Sequence, residues 1–268
     1  MAYPLILIRG GGDLASGVAL RLHHAGFDVL ITELPQPLAV RRLVVFSEAV
    51  YEGQVTVEDV TARLVTPDTV EATLARREIP VLVDPEANVL RLIPCPVVVD
   101  ARLLKVPPEP LPVAVRLLIG LGPGFTAPEN CDAVVETRRG HTLGRVYWKG
   151  STAPDTRLPE GDPRRVLRAP LDGILITQAQ IGDSLEEGQL IAEVYSPATQ
   201  EQAAVVSPFK GVLRGLLRNG MKVTRGLKLG DVDARNDPGI CRLVSDKALA
   251  VGGGVLEAVM RAHLLGKI

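Results

Sequence analysis

The run Arg9-Gly10-Gly11-Gly12-Asp13-Leu14-Ala15-Ser16-Gly17 is the first stretch of this chain with chemical content. Glycines at a turn between a strand and a helix let the backbone approach a phosphate, whose charge then meets free N–H groups and the positive end of the helix dipole. Glu33 stands 23 residues after Gly10, where an acidic side chain can bond the ribose hydroxyls of a nucleotide. The spacing Gly10-x-Gly12-x-x-Ala15 therefore predicts a nucleotide seat built from Arg9, Gly10, Gly12 and Glu33. Asp13, inside the anion-binding turn, favours the competing reading, in which the glycines serve only close helix-to-strand packing.

A second glycine loop, Gly120-Leu121-Gly122-Pro123-Gly124-Phe125, follows an apolar run and is expected to face the same crevice, because open parallel sheets bind ligands beyond the carboxyl ends of their strands. Asp100, at the end of another apolar run, either binds a ligand hydroxyl there or caps the next turn. Downstream, Glu136-Thr137-Arg138-Arg139-Gly140-His141 offers a carboxylate, guanidinium groups and an imidazole in a short span. That set can hold an anion through Arg139 and move a proton through His141. Cys131 lies close by in sequence, and thiolates become reactive beside cations such as Arg139. Cys131 and His141 are thus the candidate catalytic residues, set against a buried inert cysteine and a surface histidine. Gly252, Gly253 and Gly254 fall inside a helical pattern, where each glycine costs roughly 1 kcal/mol against alanine. They predict close backbone packing or the approach of a ligand.

These residues need elements to hold them. Leu5 to Ile8 reads as a buried strand, Leu14 to Ala25 as an amphipathic helix, and Asp28 to Thr32 as a second strand, a βαβ unit. Further strands are expected at Leu43 to Phe46, Val81 to Asp84, Val97 to Asp100 and Val115 to Gly120, with a helix between Pro67 and Glu78. Lys105 to Val113, carrying Pro107, Pro108, Pro110 and Pro112, is an extended connector. Ser151 to Arg165 is polar and rich in turn formers, and marks a linker or a long surface loop. A final helix is expected from Ala248 to Leu265, capped by Ser245 or Asp246.

Between them lies an internal repeat. Setting residue i against i+38 aligns Pro170 with Pro208, Gly173 with Gly211, Gly182 with Gly220 and Gly188 with Gly226. Ile174 and Leu175 fall on Val212 and Leu213, and Leu185 on Val223. Duplicated spacing of this kind reports duplicated structural units. The blocks APLDGIL, IGDSLEEGQLIAEV and SPFKGVL resemble the motifs around the modified lysine of lipoyl and biotinyl domains. The resemblance places the lysine slot near Ala198, yet no lysine occurs from Gln189 to Phe209. Neither lipoate nor biotin is expected, and the module reads as structural or docking.

The fold class expected is α/β: a Rossmann-like, mostly parallel sheet plus a small all-β barrel-sandwich module of lipoyl/biotinyl type, with a C-terminal helix returning to the α/β domain. The domains are drawn at 1–165, 166–233 and 234–268. With 46% hydrophobic and 23% charged residues and a formal charge of -1, the chain can bury a sizeable core and is not expected to bind nucleic acid. Its three widely spaced cysteines suit neither a disulfide framework nor a zinc site. No apolar run approaches the ~20 residues of a membrane-spanning helix, so a cytoplasmic protein without a membrane partner is expected. A homo-oligomer is left open.

Four longer blocks, IRGGGDLASGVALRL, LLIGLGPGFTAPENCDAVVETRRGHTLGRV, GLKLGDVDAR and VSDKALAVGGGVLEAV, resemble the YqeB-type proteins of the selenium-dependent molybdenum hydroxylase system. The nucleotide-binding part is similar, more loosely, to the Rossmann half of XdhC-type factors. What the resemblance implies is an accessory or maturation factor that works with a molybdenum hydroxylase or its other maturation proteins. Its small-molecule ligand would be a nucleotide or a molybdenum cofactor of pterin type. The residues alone also admit an NAD(P)-dependent oxidoreductase, or a structural adaptor that docks through its barrel.

Overall fold

A computed structural model describes residues 3–155 and 161–268. They form two compact units. One comprises residues 3–37, 45–155 and 244–268, and the other residues 38–44 and 161–243. The stretch Ser151 to Arg165, expected as a linker, lies partly outside the described residues.

The first unit holds β1 (Ile6–Arg9), α1 (Asp13–His24), β2 (Val29–Glu33), α2 (Ala49–Glu52), β3 (Gln54–Val57), β4 (Val60–Leu64), α3 (Val70–Ala75), β5 (Ile79–Val83), β6 (Val97–Asp100), β7 (Leu117–Leu121), β8 (Thr126–Ala127), β9 (Ala133–Val135), β10 (Val146–Tyr147) and β11 (Gly150–Ser151). The long helix α4 (Asp246–Leu264) joins this unit, capped by the Ser245 hydroxyl, which accepts from the Ala248 N–H at 3.1 Å. Nine of its strands make one sheet in the order β10-β9-β7-β6-β1-β2-β5-β4-β3.

That sheet corrects the Rossmann-like expectation. It is mixed: parallel pairs in the middle are flanked by antiparallel β3–β4 at one edge and β9–β10 at the other. Helical crossovers are also scarce. Only α1 is a long helix between strands, and β6 reaches β7 through the proline-rich connector, which has no helix or strand. Proline lacks the N–H that either element needs. The strand expected at Leu43 to Phe46 is instead a pair of 3-10 turns, Arg42–Val44 and Phe46–Glu48. A short apolar run cannot by itself separate strand from buried turn. The helix expected from Pro67 to Glu78 is shorter, one 3-10 turn followed by α3.

Helix α4 lies across α1 at two glycines. A Cβ on Gly17 would meet the backbone of Ala248, and one on Gly252 would meet the Gly17 carbonyl. Gly254 lies as tightly on the Gly144 carbonyl, while Gly253 faces open space. Two of the three consecutive glycines thus serve backbone packing.

The second unit holds β12 (Val166–Arg168), β13 (Gly173–Thr177), β14 (Ser184–Leu185), β15 (Leu190–Tyr195), β16 (Gln202–Val206), β17 (Gly211–Leu216), β18 (Lys222–Val223) and β19 (Lys228–Asp233). The expected single barrel-sandwich is corrected to two antiparallel sheets of four strands each, β12-β19-β17-β14 and β16-β15-β13-β18. A shift of 38 residues carries β12, β13, β14 and β15 onto β16, β17, β18 and β19, so it exchanges one sheet for the other. The core obeys the same shift: Leu175 and Leu213, Ile191 and Leu229, Val194 and Val232, and Leu185 and Val223 are all buried in one cluster. Gly173 approaches the Tyr195 carbonyl as Gly211 approaches that of Asp233.

Among the described residues, no helix is long and apolar enough to cross a membrane.

Candidate functional site

The order of the parallel strands reverses between β1 and β6, whose neighbours run outward through β2 and β5 on one side and β7 on the other. At such a switch point the strand ends diverge and leave a crevice. Arg9 ends β1 and Asp100 ends β6, opposite each other in register. The structure brings these two candidate residues together, and both are buried. The Arg9 Nη1 approaches Asp100 Oδ2 at 3.4 Å, and its Nη2 donates to the Pro85 carbonyl at 3.0 Å and to Glu109 Oε1 at 2.8 Å.

Two further residues complete the cluster. Arg102 donates from Nε to Asp100 Oδ1 at 2.9 Å and from Nη2 to Asp100 Oδ2 at 2.6 Å, and its Nη1 bonds Glu109 Oε1. Two guanidiniums therefore share two carboxylates, one on the sheet and one on the proline-rich connector. Sequence reasoning passed over Arg102 and Glu109. The i, i+2 spacing of Asp100 and Arg102 was a weak local signal, whereas Glu109 reaches Arg9 across 100 residues.

Burial by itself would raise the Glu109 carboxyl, but the hydrogen bonds from Arg102 and Arg9 outweigh it and bring it down to about 2. A carboxylate held below its ordinary range contributes stability that is present above that range and is lost as pH falls towards 2. In a carboxyl-carbon NMR titration, Glu109 is expected to titrate near 2, and Arg102→Ala is expected to move it back towards about 4.3.

The other candidates are placed elsewhere. Glu33 ends β2, but its carboxylate is turned onto the chain itself: Oε2 accepts from the Gly11 N–H at 2.6 Å and Oε1 from the Leu34 N–H at 2.7 Å. One backbone donor of the turn, the Gly11 N–H, is thereby already satisfied. Gly10 takes φ of +92°, and a Cβ on Gly11 would press on Ser47, so both meet backbone demands of the turn. Gly12 precedes α1 with open space around it, and Asp13 opens the helix. The second glycine loop is filled from within. The Phe125 ring covers Gly120, Gly122 adopts φ of +100° beside Leu103, and Gly124 lies against the Leu104 and Val106 carbonyls.

Cys131, His141 and Arg139 occupy different surroundings. Arg139 is held by Asp246 in the first turn of α4, at 2.7 and 2.8 Å. His141 is exposed, and its backbone carbonyl accepts from Arg145 Nε at 3.3 Å. Cys131 is buried; burial and the neighbouring Asp132 carboxylate push its thiol up to about 12, against a smaller opposing effect of a backbone hydrogen bond at Gly120. Cys95 and Cys241 are buried too, and burial raises both thiols. All three cysteines are therefore expected to resist iodoacetamide at pH 8 in the native protein and to be alkylated after urea unfolding, as read by intact mass. Fast native labelling of Cys131 would contradict this account.

A groove of about 720 Å³ opens where β4 and β5 end, lined chiefly by Leu64, Leu82, Val83, Val89 and Leu92, with Asp84 and Asn88 among its polar groups. Pro85, whose carbonyl receives Arg9, follows Asp84 directly. Among the described residues, no three His, Cys, Asp or Glu side chains converge as metal ligands.

No family model matches the chain. It is 44% identical over 263 residues to the uncharacterized protein YqeB of Escherichia coli strain K12, a match covering 96% of this chain and 48% of that protein. The chain spans about half the length of that relative.

Its coordinates are also similar to an aspartoacylase family protein from Mesorhizobium loti (TM-score 0.28, 10% identity, 87% of this chain and 85% of the other). The ectoine utilization protein EutE (DoeB) from Ruegeria pomeroyi is comparable (TM-score 0.27, 12% identity, 87% and 86%). So is a succinylglutamate desuccinylase/aspartoacylase from Rhodobacter sphaeroides (TM-score 0.27, 11% identity, 86% and 84%). Likeness at this level transfers no activity.

The relative carries no link to selenium or molybdenum hydroxylases in its name. The accessory-factor reading, with its oxidoreductase and adaptor alternatives, is not retained.

Proposed function

We propose that the first unit is a receptor for a small organic anion, which it holds at the carboxyl ends of β1 and β6 through Arg9 and Arg102. The observation that supports this reading is a buried guanidinium, Arg9, sharing one exposed carboxylate with Arg102 at the topological switch point. A buried cation is costly unless paired, and a guanidinium pair presents planar, directional donors to an anion. Arg139, Cys131 and His141 have no part in this reading.

The test is direct. Side-chain Nε resonances of Arg9 and Arg102 are followed by NMR while small organic acids are added at millimolar concentration. Selective, saturable shifts of these two signals are expected. Shifts spread over all surface arginines, or none at all, would overturn the proposal.

A further inference from the structure

We infer that Glu109 is a resident stand-in for a ligand carboxylate, so that the site is closed by its own chain and opens when a small-molecule carboxylate takes the place of Glu109 between Arg9 and Arg102. This rests on the reading of the strand ends as an anion site, and adds to it the ligand's chemical class and the way the site is regulated.

The two carboxylates of the cluster differ in how they are held. Asp100 belongs to a central strand, and its side chain is 2% exposed. Glu109 rides on the connector with a side chain 49% exposed. Among the described residues, positions 106–110 make no backbone–backbone hydrogen bond. Pro107, Pro108 and Pro110 have no N–H to give. The connector is tied on either side of that stretch, by the Leu104 carbonyl accepting from Gly124 N–H at 2.8 Å and by the Lys105–Asp155 ion pair at 2.6 Å, while Leu111 and Val113 pack on the core. Between these ties, the polar anchorage of residues 106–110 is the Glu109 side chain.

Charge points to the same exchange. With Glu109 withdrawn, two guanidiniums face one carboxylate, an excess of one positive charge that a monocarboxylate restores. The seat is also shaped for a carboxylate, because Glu109 Oε1 already takes a donor from each arginine. Arg9 holds one donor in reserve: its Nε is buried and has no hydrogen-bond partner. Displacement of an intrachain group lowers apparent affinity by the fraction of molecules in which the site is open.

The full chain is titrated calorimetrically with hexanoate, and in parallel with inorganic phosphate, as wild type, Glu109→Gln and Glu109→Ala. Both variants are expected to bind hexanoate at least tenfold more tightly than the wild type, and phosphate more weakly than hexanoate. Equal hexanoate affinity in all three proteins would overturn the stand-in role and leave the anion site intact. Tighter phosphate than hexanoate binding by the variants would overturn the carboxylate class. No binding of either anion by variants whose circular dichroism matches the wild type would overturn both the inference and the anion site.

Discussion

Asp231→Ala is expected to destabilise the second unit by about 3 kcal/mol, the lower end of the range for removing one partner from a buried ion pair. Asp231 is fully buried on β19, and three cations surround it. Arg214 Nε stands 2.9 Å from Oδ1, Arg165 meets Oδ2, and Lys228 lies at 3.6 Å. The Arg214 approach is ionic and off the N–H axis, because neither of those two atoms forms a hydrogen bond. Removing the carboxylate leaves like charges facing one another just before β12 and on β17 and β19. Asp233, 3.5 Å from Arg214, answers only part of that repulsion. The lower end applies because the cations keep contact with water. Urea unfolding of wild type, Asp231→Asn and Asp231→Ala measures the effect, with Asn expected between the other two. A loss below about 0.5 kcal/mol in Asp231→Ala, the scale of an exposed pair, would show that the carboxylate does not organise this face.

The second large effect is expected at the α1–α4 crossing. Gly17→Leu places a side chain where even a Cβ would lie 2.5 Å from the Ala248 backbone, so the helices must separate. Overpacking of this kind costs about 1–3 kcal/mol and sometimes more. A leucine, bringing four heavy atoms into backbone contact, belongs at the upper end. Thermal unfolding should register a drop of several degrees. Gly253→Ala is the matched control on α4, since nothing lies within 4 Å of the new methyl group. It is expected to raise stability by about 0.5–1 kcal/mol through better helix propensity. Equal effects of the two substitutions would show that proximity at the crossing is not what selects glycine there.

That pair also explains why a glycine-rich turn is ambiguous in a sequence. A glycine that admits a phosphate and one that admits a neighbouring backbone leave the same letter. Gly11 against Ser47 and Gly17 against Ala248 are of the second kind. Glu33 stands at the distance suited to a ribose, yet it binds the turn itself, and nothing in spacing distinguishes those roles. Arg9 and Asp100 were legible because apolar strands ending in a charge point to the edge of a sheet. Their partners were not: Arg102 carried no signal beyond its spacing from Asp100, and Glu109 sat in a proline run without periodicity. The 38-residue repeat was fully legible, since the demands of tight turns and core positions recur in each copy. Which strands pair was not, because a repeat fixes the units and leaves open whether each closes on itself.

In the second unit they do not close on themselves. Each sheet takes two strands from each copy, so a single copy would expose unpaired strand edges on both sides. A half-length fragment can complete its hydrogen bonding only with a second fragment. The duplicated chain therefore has the connectivity of an intertwined homodimer whose two subunits are joined into one polypeptide, with the loop between the copies holding the two halves together.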